Sequence, residues 1–232
     1  MTSSFPGCFV TGTDTEVGKT CVSTALLHLL TQAGWRVGGF KPVAAGMQGQ
    51  INEDVAALQR ASPLDLQLNE IGPYQYRSSC APHLAALQEN RPISRPHLLA
   101  AARHLQQRCD FIVAEGAGGL CVPLGPGWGL DDLMCDLQWP VVLVVGLRLG
   151  CLNHAVLTAR ALHALGLRCV GWVGNTVDPH MLELQGNVQT LQALLLESYG
   201  ISCWGIVPRL NTPSPQQVAA HLAQSAILTT LR

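Results

Sequence analysis

The segment Thr11-Gly12-Thr13-Asp14-Thr15-Glu16-Val17-Gly18-Lys19-Thr20 constrains the fold more than any other part of the chain. A short apolar run, Cys8 to Val10, leads into it, and Cys21 to Leu30 follows with apolar residues at helical spacing. It therefore joins a buried strand to a helix. A glycine-rich turn that opens a helix presents converging N–H donors to an anion, and a lysine beside it adds a fixed cation. Gly18-Lys19-Thr20 fits a phosphate loop, with Thr20 Oγ as an Mg²⁺ ligand bridging the terminal phosphates. The nucleotide cradle runs over Glu16, Val17, Gly18, Lys19, Thr20 and Cys21, and Thr13 and Lys19 are candidate catalytic residues. Five residues separate Gly12 from Gly18, one more than in the common motif, and Thr13 stands where the first glycine is usual. This is a variant found in one branch of P-loop proteins.

What surrounds the loop must be an α/β fold. Apolar, β-rich runs recur at Cys8–Val10, Val37–Phe40, Phe111–Ala114, Val141–Val145, Cys169–Val173 and Cys203–Val207. Helical patterns lie between most of them, at Lys19–Gln32, Pro96–Gln107, Leu152–Leu165, Met181–Ser198 and Pro215–Gln224. Continuous rather than alternating apolar strands, separated by helices, predict a doubly wound, mainly parallel sheet covered on both faces. No linker or repeat interrupts it, and Ser78 to Pro96 reads as a loop and short helix, so residues 1–232 are expected to form a single domain.

Bulk properties narrow the partners. The formal net charge is −1, too little basic surface to neutralise a nucleic-acid backbone or an anionic membrane. No apolar stretch approaches the ~20 residues that cross a bilayer, and the N-terminus lacks a signal pattern. A cytoplasmic protein acting on a small molecule is expected. Nine cysteines are scattered singly with no C-x-x-C pair, against both a disulfide framework and a zinc knuckle; most are expected to be small buried hydrophobes.

Ligands of such sheets bind beyond the strands' carboxyl ends, and that rule selects the remaining candidates. Glu115 ends the strand Phe111–Ala114 before the turn Gly116-Ala117-Gly118-Gly119, where an acid needs a metal or a partner. Lys41, one of only two lysines, ends Val37–Phe40 and faces a bound nucleotide's terminal phosphate. Asp54, in Asn52-Glu53-Asp54-Val55, reads first as the N-cap of the helix it opens. Asp110, Asp131, Asp132 and Asp136 read as solvated or capping acids. Gly150-Cys151-Leu152-Asn153-His154 opens another helix and offers either a second anion site or an ordinary cap. Asn175, after Trp172-Val173-Gly174, is either an adenine-reading amide or a turn former. Pro208-Arg209-Leu210 could wall a base pocket.

Taken together, FVTGTDTEVGKT, KPVAAG, EDVAALQR, VAEGAGG, PVVLVVGLRLGCLNHA, GWVGNTV and GIVPRL resemble dethiobiotin synthetase, in order and with similar spacing from about residue 8 to 210. The resemblance implies a homodimer of P-loop α/β domains that uses Mg²⁺ and ATP to convert 7,8-diaminononanoate and CO₂ into dethiobiotin, with release of ADP and phosphate. By it, Thr20, Asp54 and Glu115 are metal ligands, which reverses the capping reading of Asp54. Lys19 and Lys41 match the phosphate and carbamate lysines. Asn175, with Thr176, matches the adenine reader, and Pro208 to Leu210 its wall. Lys41, Ala45, Gly118 and Gly119 fall on the substrate side, and Cys151, Leu152 and Asn153 hold the substrate carboxylate from the partner subunit.

Departures concern affinity rather than phosphate chemistry. Ala45 replaces a serine common in the family, Asn187 falls near the place of a substrate-reaching tyrosine, and the acid usual after the Pro208–Leu210 segment is missing, with Pro213 and Pro215 nearby. Two other readings share the loop: a nucleotide-controlled partner-binding protein of the partitioning-ATPase type, and an ATP-dependent amide-forming relative. The absence of an early lysine in the loop, where Thr13 and Asp14 stand, weighs against the first. Lys19 and Lys41 are both expected to be removable with loss of turnover but not of fold.

Overall fold

The computed structural model describes residues 5–232. Among these residues ten strands are formed: β1 (Gly7–Gly12), β2 (Val37–Phe40), β3 (Val43–Ala45), β4 (Tyr74–Tyr76), β5 (Phe111–Glu115), β6 (Pro123–Gly125), β7 (Trp128–Gly129), β8 (Val141–Leu147), β9 (Cys169–Thr176) and β10 (Cys203–Val207). The helices are α1 (Lys19–Gln32), α2 (Glu53–Ala61), α3 (Leu68–Ile71), α4 (Pro82–Gln88), α5 (Arg95–Gln106), α6 (Leu130–Leu137), α7 (Cys151–Ala164), α8 (Leu184–Tyr199), α9 (Pro215–Ala219) and α10 (Gln224–Thr230).

Six strands make one parallel sheet in the order β10-β9-β8-β1-β5-β2, with helices on both faces. The reason β8 reads as an unbroken apolar run is visible in its packing. Val142 and Val144 join the larger core with α1 and β5, whereas Leu143, Val145 and Leu147 join a second core with Ala155, Ala159, Leu191 and Leu195 of α7 and α8. Each side chain so removed from water contributes about 1.5–3 kcal/mol relative to exposure. Both faces are dry, so neither tolerates polar alternation.

β1 is central, and the chain leaves it first towards β2 and returns to pair β8 on its other side. That reversal leaves a crevice at the carboxyl end of β1, where the loop to α1 lies.

Several expected boundaries shift. The last helical pattern, Pro215–Gln224, divides into α9 and α10, because Ala223 N–H donates to Trp204 O at 2.6 Å and turns the chain onto β10. The pattern Met181–Ser198 begins only at Leu184, after Glu183 adopts a left-handed conformation (φ 53°). Short pairs β3–β4 (parallel) and β6–β7 (antiparallel) have no counterpart in the sequence reading. All nine cysteines are free as expected, but only Cys8 and Cys151 are fully buried; Cys80 and Cys121 are exposed.

Candidate active site

The loop after β1 is tied to β8. Thr13 N–H donates to Val144 O at 2.9 Å, and Gly146 N–H donates to Thr13 Oγ1 at 3.4 Å. Gly18 then begins α1 with φ 94°, a left-handed turn that favours glycine, and no side chain caps the helix. The first N–H groups of α1 are thus left to a ligand. Asn175, near the end of β9, donates its amide to Val17 O at 3.0 Å and clamps the loop from the other side. Lys19 is buried at 6 % exposure, and its ammonium donates to Asp14 O at 2.7 Å. Burial, and then the charge of Lys41, lower its pKa from 10.5 to about 8, with Glu115, Asp54 and Asp14 offsetting part of that fall.

Opposite the loop, two carboxylates and the second lysine meet. Glu115 at the end of β5 is 0 % exposed and Lys41 after β2 is 3 % exposed. Lys41 Nζ donates to Glu115 Oε1 at 2.6 Å, to Asp54 Oδ2 at 2.8 Å and to Gly116 O at 3.1 Å. Burial alone would lower the lysine's pKa, but Glu115 and Asp54 outweigh it and the net shift is upward. The same pairing, with a Thr20 hydrogen bond, holds the Asp54 carboxyl below its usual range against the opposing effect of burial.

Asp54 is not the cap of α2. Asn52 is: its Oδ1 accepts from Asp54 N–H and Val55 N–H at 3.0 and 3.3 Å, and its amide donates to Ala45 O and Gly46 O at 3.3 Å each. A cap two residues earlier releases the Asp54 carboxylate from the helix end and turns it to the site.

Thr20 Oγ1 lies 2.8 Å from Asp54 Oδ1 and 2.9 Å from Glu115 Oε1. A hydroxyl has one proton and satisfies one of these acceptors at a time. Glu115 Oε2 is buried with no hydrogen-bond partner. Two carboxylates and a hydroxyl converging with an unsatisfied buried oxygen are a hard-oxygen set suited to Mg²⁺, which takes one or two protein carboxylates and completes its shell with phosphates and water. Among the described residues no cluster of three or more His, Cys, Asp and Glu is present that could hold a metal by itself.

These groups line one cleft of about 750 Å³. It brings together Glu16, Gly18, Lys19, Thr20, Cys21, Lys41, Ala45, Asp54, Glu115, Gly118 and Gly119 of the expected residues. Thr13, Val17, Asn175, Thr176, Pro208 to Leu210 and Cys151 to Asn153 lie outside its lining. The Thr13 hydroxyl and the Asn175 amide are engaged in holding the loop, and Arg209 donates to Val177 O at 3.2 Å. Cys151 is buried and Asn153 exposed at the start of α7, which, like α1, has an αL glycine before it and no side-chain cap. The Ser79 to Pro82 wall escaped the sequence reading, as did the Asp14–Arg148 ion pair across the loop. The only signal for that pair was an acid in a phosphate loop, a poor place for one unless it is neutralised.

The depressed pKa of Lys19 gives a pH dependence. In the free protein the ammonium is lost above about pH 8, earlier than in the unfolded chain. Anion binding restores it, so affinity for Mg²⁺ with a non-hydrolysable ATP analogue should be strongest below pH 8 and weaken up to about tenfold per pH unit above. Calorimetry near pH 9 in buffers of different ionisation enthalpy should show uptake approaching one proton; no uptake would refute the assignment.

Comparison with known proteins places the chain in a family. The AAA domain family matches residues 7–217. The ATP-dependent dethiobiotin synthetase BioD of Ralstonia nicotianae is 43% identical over 225 residues, 95% of this chain and 96% of its own length. The corresponding protein of Cellvibrio japonicus is 44% identical over 224 residues, 95% and 96% of the two chains. Among solved structures, the MinC:MinD cell division complex and MinD of Aquifex aeolicus superpose with TM-scores of 0.53 and 0.52 at 15% and 14% identity; each covers 97% of this chain, with 94% and 95% of theirs, and each supports the fold. On identity and coverage the chain belongs to the ATP-dependent dethiobiotin synthetases, the P-loop ligases of biotin biosynthesis.

Proposed function

We propose that the cleft converts 7,8-diaminononanoate, CO₂ and ATP into dethiobiotin, ADP and phosphate through a carbamate and its mixed anhydride with phosphate. One amine adds to CO₂ and loses a proton, the carbamate oxygen takes the γ-phosphoryl group as ADP leaves, and the second amine attacks the carbonyl carbon and expels phosphate. A ureido ring closes. No covalent bond to the protein is required.

The chain's task is to bring one anion to another. Lys19 and the α1 amides face the phosphates, and Lys41 lies where a carbamate oxygen approaches them, so fixed positive charge meets the charge that moves during transfer. Thr20, Asp54 and Glu115 would hold Mg²⁺, which when bound offsets the terminal phosphate charge. Ala45, Gly118 and Gly119 are small residues that leave space for substrate beside Lys41. Holding the amines there turns separate encounters into positioned steps. The base is assigned to the region of Asn175, Thr176 and Pro208 to Leu210.

The working unit in this reading is a cytoplasmic homodimer, one α/β domain per subunit. The diamine's carboxylate rests on Cys151, Leu152 and Asn153 of the partner subunit. Leu149, 92 % exposed and two residues before α7, supports a covered apolar surface at the start of that helix.

The observation that carries the proposal is the meeting of Lys19, Thr20, Lys41, Asp54 and Glu115 in one cleft at the sheet's carboxyl edge. Incubation with ATP, Mg²⁺, bicarbonate and the diamine should form ADP and a cyclic urea in equal amounts. Phosphate release that ignores the diamine would reject it.

A further inference from the structure

Between Thr13 and Arg148 the β1–β8 ladder continues past its last backbone pair. That pair is Gly12 with Val144. Beyond it, Thr13 N–H donates to Val144 O, Gly146 N–H donates to Thr13 Oγ1, and the Arg148 guanidinium pairs with the Asp14 carboxylate. Val144 and Gly146, two residues apart in β8, turn these backbone groups to the same neighbour, and Arg148 follows directly after the strand's last residue, Leu147. The third rung is made by side chains because the loop has by then turned from the sheet towards the phosphate site.

Asp14 is the residue on which this rung acts. Its carboxylate also accepts from Thr15 N–H at 2.8 Å, a local turn that ties side chain to backbone. Its carbonyl accepts the Lys19 ammonium at 2.7 Å. Moving the Asp14 side chain therefore moves the oxygen that aims Lys19. Arg148 meanwhile directly follows Leu147, the last residue of β8, which pairs with Thr176 of β9, and its own carbonyl accepts from Cys151 N–H at 3.0 Å at the entry to α7.

We propose that Arg148 is a positioning residue: through Asp14 it fixes the phosphate loop and the direction of Lys19, and so sets the affinity for Mg²⁺-nucleotide. The inference rests on the reading of this loop as the nucleotide cradle. Both members of the pair are roughly half exposed (42% and 46%), so its coupling is modest.

The test is a double-mutant cycle on the full chain with Arg148→Gln, Asp14→Asn and the pair together. Calorimetric Kd for Mg²⁺ with a non-hydrolysable ATP analogue is measured beside kcat, KM for each substrate and Tm. Each single variant should raise Kd and the KM for ATP about fivefold, leave Tm and the KM for the diamine unchanged, and the double variant should be no worse than either single one. Arg148→Lys should recover most of the loss. Independent losses that multiply to about 25-fold, or an unchanged Kd, would overturn the proposal, as would a rise confined to the diamine's KM, which would place Arg148 against the substrate. A wild type that binds the analogue yet forms no cyclic urea would refute the proposed reaction and leave this inference standing; failure to bind the analogue would remove both.

Discussion

Replacing Lys41 by alanine is expected to lower turnover about a thousandfold and also to lower stability by about 3–5 kcal/mol. The first loss follows from removing a cation that faces the transferred group. The second comes from Glu115, which is 0 % exposed, carries an oxygen with no hydrogen-bond partner among the described residues, and is ion-paired directly with Lys41. Without it that carboxylate keeps the Thr20 hydroxyl and the more distant charge of Lys19, which offset little of a charge so deeply buried. Asp54, with a side chain 42 % exposed, can rehydrate and adds little to the loss. Thermal melts should show a fall on the order of 10 °C in the presence of a chelator, and Mg²⁺ should restore part of it by supplying another cation to the same carboxylates. Because the pairing raises the Lys41 pKa, its contribution is full below 10.5 and is lost only as pH rises through the higher folded value, so the gap between variant and wild type should persist through neutrality. An unchanged melting point in chelator would show that Glu115 is satisfied in another way.

How legible this was in the sequence differs by element. The six sheet strands and the helix after the loop were readable because a parallel strand buried on both faces has no alternative to being apolar throughout, and Val141 to Leu147 satisfies both cores at once. The phosphate loop was readable because phosphate recognition needs glycine, lysine and threonine at adjacent positions. Asp54 was not, since an acid two places into a helix caps it as plausibly as it binds a metal; only Asn52, whose side chain takes both N–H groups, decides between them. The stability role of Lys41 was equally hidden, because nothing in Phe40-Lys41-Pro42 reveals that Glu115, 74 residues later, lies 2.6 Å from its ammonium. The Asp14–Arg148 pair spans 134 residues and has no local signature at all.

Replacing Lys19 by alanine is expected to have a comparable catalytic cost and the opposite effect on the fold. Turnover should fall about a thousandfold, corresponding to the roughly 2.7–4 kcal/mol that one well-placed charge-stabilising donor supplies, while Tm stays level or rises. The difference lies in what surrounds each ammonium. Lys41 sits between two carboxylates and its charged form is favoured; Lys19 donates to a neutral carbonyl, lies near Lys41, and has its pKa lowered to about 8, so the folded protein disfavours its charge. Removing it relieves that cost and leaves only Asp14 O short of a donor, on a loop that water can reach. A group that the fold disfavours at neutral pH and that points into the phosphate cleft is held there for the ligand. Lys19→Arg should not rescue turnover, because the Lys19 stem packs against Gly12 so closely that a Cβ at that glycine would stand 3.1 Å from Lys19 Cγ, and a planar guanidinium cannot replace a compact ammonium in that space. Near-normal turnover in Lys19→Ala would mean that phosphate charge is met elsewhere, and Arg148, across the loop on Asp14, would be the first group to test.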